Sequence, residues 1–376
     1  MQTFQSFSDL DLPKPLAAAL LKMKFTVPTP VQAATIGPAL KGRDILGIAQ
    51  TGTGKTGAFG VPLLAALYPN PGKQALVLAP TRELAAQIKK VLEKMSVGMK
   101  LNGTLLVGGE SFNRQVAEIR RGVDYIIATP GRLNDHLEQR TVNLSQVRIF
   151  VLDEVDRMLD MGFAPQIRAI LKYVPKTRQT LLFSATLPQE LNGVINGMMK
   201  DPVKVSLEHV VETAPKVTQE KVEVSEPAKM KQLLKEIDTR KGRILIFART
   251  QSRTERVAQR LYDEGHDIVC MHGGRSNGQR KEALRRYHAG THRIMVATDL
   301  AGRGIDVDDI AHVINYDVPG NREDYIHRIG RTGRFGKTGI AITFVTPVDV
   351  DADYIISGKK KPSRVVFSNR RWGRRR

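Results

Sequence analysis

Cysteine is almost missing from this chain. Cys270 is the only one among 376 residues, which rules out an internal disulfide framework and leaves no cysteine cluster for structural zinc. Such usage fits a reducing compartment, and a cytoplasmic location is expected. No apolar run approaches the roughly 18 residues that a membrane-spanning helix needs. The opening MQTFQSFSDL has no basic stretch followed by an apolar one, so neither a membrane anchor nor a secretory leader is expected. Short-period repeats are lacking, and low-complexity sequence is confined to the C-terminal tail, which sets aside repeat arrays. Acidic residues are scarce beside basic ones, 38 against 58, for a formal charge of +20. Cationic surface attracts phosphate backbones and gains entropy as their counterions are released, so a polyanionic partner is expected. Charge alone leaves nucleic-acid binding and simple solubility both open.

What is present is a soluble, core-forming composition, 41% hydrophobic and 26% charged, in a chain long enough for two ordinary domains. Short β-branched runs at 44–48, 74–79, 124–129, 148–153 and 180–184 alternate with helical patterns such as 82–95. The alternation restarts at 243–248, 267–271, 292–297, 312–316 and 340–345. Strand-helix alternation is the signature of parallel strands joined by crossover helices, so two α/β domains are expected. Between them HVVETAPKVTQEKVEVSEP is mixed and polar, and its first part reads as a linker. The expected boundaries are 1–208, a linker at 209–218, a second domain at 219–348, and a tail at 349–376. Residues 358–376 hold nine Lys or Arg and no acid, nearly half of the excess charge, and read as a mobile basic tail. Phe367 and Trp372 among its arginines suit phosphate attraction with base stacking; a solvated terminus explains the same composition equally well.

The strongest local signal is AQTGTGKT, Ala49, Gln50, Thr51, Gly52, Thr53, Gly54, Lys55 and Thr56, set between an expected strand and helix. Gly52 and Gly54 let the backbone curl so that its N–H groups and the helix N-terminus face phosphates. Lys55 reaches the β/γ oxygens, and Thr56 offers a hydroxyl to Mg²⁺. A P-loop needs an acidic partner at a neighbouring strand end, and RIFVLDEVD supplies it. Asp153 is placed to hold Mg²⁺, partly through water, and Glu154 to orient or deprotonate the attacking water. ATP and Mg²⁺ are the cofactors that follow. Adjacent acids at a strand end are ordinarily a solvated turn; the P-loop is what makes the pair informative.

With DEVD in this position the chain resembles the DEAD-box ATP-dependent RNA helicases of bacterial type, and further motifs of that family follow in order. The resemblance implies two tandem RecA-like P-loop domains. FTVPTPVQ looks like the adenine-reading Q motif, with Gln32 on the base edge, Phe25 packed on the ring and Phe7 as the upstream aromatic. PTRELA (Pro80, Thr81, Arg82), Gly108-Gly109 and TPGR (Thr129, Pro130, Gly131, Arg132) match RNA-contacting motifs, whose amides, hydroxyls and guanidinium groups position a phosphate backbone without reading bases. SAT, with Ser184 and Thr186, is similar to the motif that couples hydrolysis to strand separation through the acidic site at Asp156.

In the second half LIFART, HGG with Gly273, the later Arg280, ATDLAGRGIDV with Thr298, Gly304 and Asp306, and HRIGRTGRFG complete the series, and the resemblance implies RNA contacts for Gly273, Arg280 and Thr298. The arginines of HRIGRTGR are hard to justify by packing, because guanidinium groups resist burial without partners. By resemblance Arg331 and Arg334 are arginine fingers, His327 orders the hydrolytic site, and Gly304 and Asp306 meet the nucleotide, Asp306 at its ribose. The sequence departs from the family at Val155, for alanine, at Gly274, for aspartate, at Asn277, for glutamine, and at Lys24, for glycine. The resemblance implies an RNA-stimulated ATPase that closes two domains around ATP and RNA, acting on single strands and short duplexes with little sequence preference. It further suggests a monomer without membrane attachment that meets ribosomal particles or RNA-decay proteins. Two other readings stay open: a non-catalytic, ATP-gated RNA clamp, and a DNA helicase of the wider superfamily.

Overall fold

A computed structural model describes residues 4–49, 52–68, 70, 72–186, 197–206, 216–302, 309–333 and 338–358. In the first half β1 (Ile45–Ile48), β2 (Gln74–Leu78), β3 (Gly103–Leu106), β4 (Tyr125–Ala128), β5 (Val147–Asp153), β6 (Gln179–Ser184) and β7 (Val203–Ser206) form one sheet. Its order is β3-β4-β2-β5-β6-β1-β7, with every pairing parallel. Central strands such as ILGI and YIIA are buried at every position, because helices cover both faces of a parallel sheet. Successive side chains divide between the two faces, as strand geometry requires. Ile45 and Val77 join the cluster under the Lys55–Leu67 and Arg82–Met95 helices, whereas Leu46 and Leu76 join the one under the Pro130–Glu138 and Ala164–Leu171 helices.

The second half repeats the scheme with β8 (Lys216–Glu223), β9 (Arg243–Phe247), β10 (Ile268–Met271), β11 (Ile294–Ala297), β12 (Ile310–Asn315) and β13 (Thr338–Val345). These run parallel in the order β10-β11-β9-β12-β13-β8. Leu245 faces one core and Ile244 and Ile246 the other. No helix among the described residues is long and apolar enough to cross a membrane.

Every strand expected from an apolar run is present within two residues, and three others were not foreseen. β3 and β7 are four-residue edge strands, too short to show a period. β8 lies within the mixed, polar stretch between the two halves. KVTQEKVE pairs along all its length with β13, and as an edge strand it tolerates polar side chains on its open side. The second body therefore starts by Lys216, inside the interval read as linker. It also runs past 348, since the Ala352–Ser357 helix buries Ala352 and Ile355 against Val318 and Tyr325.

Strand order is what gathers the site. β5, β6 and β1 are neighbours, so the segments following them, DEVD, SAT and the P-loop, emerge side by side at the carboxyl ends, where open α/β sheets bind ligands.

Candidate functional site

The P-loop begins where β1 stops. Ala49 N–H still donates to Ser184 O at 2.9 Å, after which Gly52 and Gly54 take φ of 84° and 94°, conformations that cost other residues energy. The helix then starts at Lys55, with Gly54 as its N-cap, while Thr53 and Thr56 remain half-buried around it. Lys55 is buried, its Nζ 3.8 Å from Asp153 Oδ1. Neither atom has a hydrogen-bond partner among the described residues. A buried ammonium and a buried carboxylate oxygen left without hydrogen bonds are costly, and both lie where a triphosphate and its cation would satisfy them. Gln50 and Thr51 lie outside the described residues.

The adenine end is delivered by a helix terminus. The Lys14–Lys22 helix closes with Lys24 N–H donating to Leu21 O and Phe25 N–H to Leu20 O, the paired bonds of a Schellman motif. Lys24 accordingly has φ of 60°, a conformation that suits the glycine of the motif it resembles. Lys24→Gly is expected to raise stability by about 0.5–1 kcal/mol by relieving the left-handed strain, read as a higher urea midpoint. Phe25, half-buried, packs edge-on to Phe7 with centroids 5.6 Å apart. Buried Gln32 accepts from Thr29 N–H at 2.9 Å and donates to Gly54 O at 3.0 Å, tying this motif to the P-loop. One amide hydrogen and one lone pair are left for a ligand. Gly57 went unnoticed in the sequence. A Cβ there would sit 2.5 Å from Gln32 Nε2 and 3.0 Å from Phe25, so Gly57→Ala is expected to raise KM for ATP about tenfold with little change in kcat, measurable in steady-state turnover.

The acids follow β5. Asp153 and Glu154 are both buried, and Glu154 adopts φ of 53°, a strained conformation of the kind found at working sites. Burial pushes the Asp153 carboxyl up. Burial also acts to raise Glu154, but the positive charges of Arg157, Lys55, Arg331 and His327 outweigh it and hold that carboxyl down. Arg157 Nη1 lies 3.3 Å from Glu154 Oε2, a partner visible in DEVDR only as a charge at the i+3 spacing. Val155, fully buried, packs with Leu152, Met158 and Leu182. Asp156 Oδ2 accepts from Ala185 N–H at 2.9 Å, from Thr186 N–H at 3.0 Å and from the Thr186 hydroxyl at 3.3 Å, while Asp156 N–H reaches Ser184 Oγ. Three of these donors are backbone amides, and the hydroxyls of Ser184 and Thr186 both take part.

The motifs expected to meet RNA form a continuous strip in the first body. Pro80 and Thr81 are buried, and Thr81 caps the Arg82–Met95 helix through Leu84 N–H. Thr129 precedes Pro130 at a second helix start, while Gly131 has open space around it. The Arg82 guanidinium lies over Gly108 and Gly109, where added Cβ atoms would come within 3.1 and 2.1 Å of it. Arg132 is turned inward. Its Nε donates to Val107 O at 3.2 Å and its Nη2 to Glu110 O at 3.1 Å, and it stacks over Phe112. It therefore braces the Gly108–Gly109 loop from beneath.

From the second body, Arg280 comes to Glu83, the fourth residue of PTRELA, at 2.7 Å with both side chains largely buried. By resemblance Arg280 was expected at RNA; in the structure its partner is a carboxylate of the other half, reached because the Asn277–Ala289 helix points its first turn there. Asn277 Nδ2 donates to Gly109 O at 3.3 Å and Lys281 pairs with Glu110 at 2.6 Å. Gly274 fits because a Cβ would lie 2.9 Å from Gln251 and 3.2 Å from His272, and Gly273 also lies beside Gln251. Thr298, buried, follows β11. His327 and Arg331 lie near enough to Glu154 to act on its charge, and Arg331 is buried, its Nε donating to His327 O. Arg328 corrects the view that this cationic run resists packing. It is fully buried because Asp299 takes its Nε and Nη2 at 2.5 and 2.7 Å, with Asn315, Asp317 O and the Phe247 ring completing its shell. Gly304, Asp306 and Arg334 lie outside the described residues.

Known proteins agree with this layout. The profile of the DEAD/DEAH box helicase family matches residues 29–194, and that of the helicase conserved C-terminal domain matches 228–336. The DEAD-box ATP-dependent RNA helicase CshA of Bacillus subtilis is 41% identical over 344 residues, 91% of this chain and 70% of that protein. Saccharomyces cerevisiae Dbp5 bound to RNA and ADP BeF3 superposes with a TM-score of 0.85 at 30% identity, covering 94% of this chain and 92% of the other. A DEAD box protein from Methanococcus jannaschii is 34% identical over 95% of this chain and 97% of its own, yet its TM-score is 0.56. Higher identity with poorer superposition over the same length is what two similar bodies placed differently produce, so the halves here are arranged more like those of Dbp5 with RNA and nucleotide. Two parallel-sheet bodies, a P-loop facing DEVD and identity maintained across both halves establish that this chain belongs to the DEAD-box ATP-dependent RNA helicases.

Proposed function

We propose that the protein hydrolyses ATP in response to RNA and uses the resulting closure and reopening of its two bodies to separate short RNA duplexes or displace bound protein. The observation that carries this reading is the arrangement around Glu154: Arg157 and Lys55 from one body and Arg331 and His327 from the other all act on one buried carboxylate, with Asp153 3.8 Å from Lys55. Gln32 and Phe25 hold the adenine end, Gly52 and Gly54 present amides to the phosphates, and Lys55 neutralises the β/γ oxygens. Asp153, with its buried unpartnered oxygen, and the Thr56 hydroxyl suit Mg²⁺, which supplies neutralisation of phosphate charge when bound. Glu154 takes the proton of the attacking water, and Arg331, with Arg334, stabilises charge on the transferring phosphoryl group. Asp156 relays the state of the acids to Ser184 and Thr186.

RNA enters as a second requirement for closure. Arg82, Gly108, Gly109, Thr129 and Gly131 offer a phosphate-binding strip, with Thr298 and Gly273 across the cleft. Such contacts hold a backbone without reading sequence. The Glu83–Arg280 pair joins the halves beside this strip, so closure and RNA binding are linked. Arg280→Glu is expected to lower RNA-stimulated turnover about tenfold, in line with a coupling of 1–3 kcal/mol, and Glu83→Arg in the same chain to recover part of it. The basic segment 358–376 adds affinity for RNA or for ribosomal particles, testable by deletion and binding across salt. The direct test of the function is strand separation of a short RNA duplex. ATP is expected to drive release of one strand, whereas no release above the ATP-free rate would leave only a clamp.

A further inference from the structure

Apart from the nucleotide site, one cluster of metal-type donors stands out among the described residues. Cys270 and His272 are two apart on the edge strand β10 and its continuation, so both point to the same face. Glu255, from the Gln251–Asp263 helix, meets them there, and the thiol, imidazole and carboxylate donor atoms all lie within 4.8 Å of one another. His272 is buried, and its Nε2 is 2.6 Å from Glu255 Oε1. The other carboxylate oxygen, Oε2, is held by Arg275 at 2.7 Å. Among the described residues β10 has only β11 as a neighbour, and a cleft of about 290 Å³ opens beside it, lined by Ile268, Cys270, Arg275, Gln279, Glu282 and Arg286.

We propose that Glu255, Cys270 and His272 form a binding site for a divalent transition-metal ion of the zinc class, with its fourth position open to solvent or a small ligand. One sulfur, one nitrogen and one carboxylate oxygen are a donor set that zinc accepts and that magnesium does not favour. In a tetrahedral zinc site neighbouring donors are roughly 3.3–3.6 Å apart. The imidazole and carboxylate, now 2.6 Å apart, must therefore separate by about 1 Å, a movement within reach of side-chain tips. Arg275 remains on Oε2, the outer hydrogen bond that orients a ligating carboxylate.

Gly274 N–H donates to His272 Nδ1 at 3.1 Å, so without metal the ring hydrogen is on Nε2, facing Glu255. Ion binding at Nε2 moves that hydrogen to Nδ1, Gly274 N–H loses its acceptor, and Cys270 gives up its thiol proton to solvent. One proton is released per ion. A thiol must lose its proton to ligate a metal ion, so binding must strengthen as pH rises.

The absence of any other cysteine makes the test specific. A Co²⁺ titration of the full chain is expected to give thiolate-to-cobalt charge-transfer absorption in the near ultraviolet, saturating at one ion per chain and reversed by Zn²⁺. Cys270→Ser should abolish the band without changing RNA-stimulated ATP turnover, and Glu255→Gln should weaken binding by about 10–100-fold. In the unaltered chain Zn²⁺ should slow maleimide alkylation of Cys270, a readout that needs no variant. No charge-transfer band, a band that survives Cys270→Ser, or alkylation indifferent to Zn²⁺ would overturn the proposal.

Discussion

Glu154→Gln is expected to cut RNA-stimulated ATP turnover by about 10²–10⁴-fold, the usual contribution of a positioned general base, while ATP still binds. The substitution keeps the side chain's size and its place after β5 but removes its capacity to accept a proton. The ion pair that Arg157 makes with Glu154 at 3.3 Å, both side chains buried, would be lost, so some loss of stability accompanies the change; a melting curve separates that loss from the chemical one. Because the interactions that draw the bodies together precede hydrolysis, the variant should also accumulate as a closed complex, seen as RNA that dissociates slowly in the presence of ATP. Turnover near normal would show that another group takes the proton.

Arg331→Ala should cost about 10³-fold or more in kcat, the range of arginine fingers, with ATP affinity changed only a few-fold. The asymmetry follows from timing: charge develops on the equatorial oxygens as the phosphoryl group transfers, and only an interaction stronger in that state than in the ground state raises the rate. Arg331 is buried, anchored through Nε on His327 O, and its charge is felt at Glu154 on the other half. Steady-state turnover with saturating RNA, set beside binding of a nonhydrolysable ATP analogue, distinguishes a lost finger from a lost binding contact. A parallel fall in both would place Arg331 in ground-state binding.

Much of this was legible because the chemistry sits in short, contiguous segments. A P-loop needs a strand before it and a helix after it, and both can be read from period and glycine placement. Buried central strands such as IFVLD and ILIF carry their own apolar signal, whereas β8 does not: KVTQEKVE is held by backbone pairing to β13, which leaves little trace in composition. Contacts between distant segments were beyond reach for a related reason. Nothing local to Arg280 announces Glu83, and nothing in HRIGRTGR announces that Arg328 is satisfied by Asp299. Lys24 shows the converse. Its departure from glycine was visible, but the reason needed the Schellman geometry that presents Phe25. Gln32 was expected at a base, and the structure adds that its amide already spans Thr29 and Gly54, so substrate reading and P-loop shape are mechanically joined.

The most direct test of the central claim, that one ATPase is assembled from two bodies when RNA is bound, is ATP turnover measured with single-stranded RNA, with single-stranded DNA of the same sequence, and with neither. Turnover is expected to rise sharply with RNA and to stay near the unstimulated rate in the other two. Equal rates in all three, or stimulation by DNA alone, would contradict it.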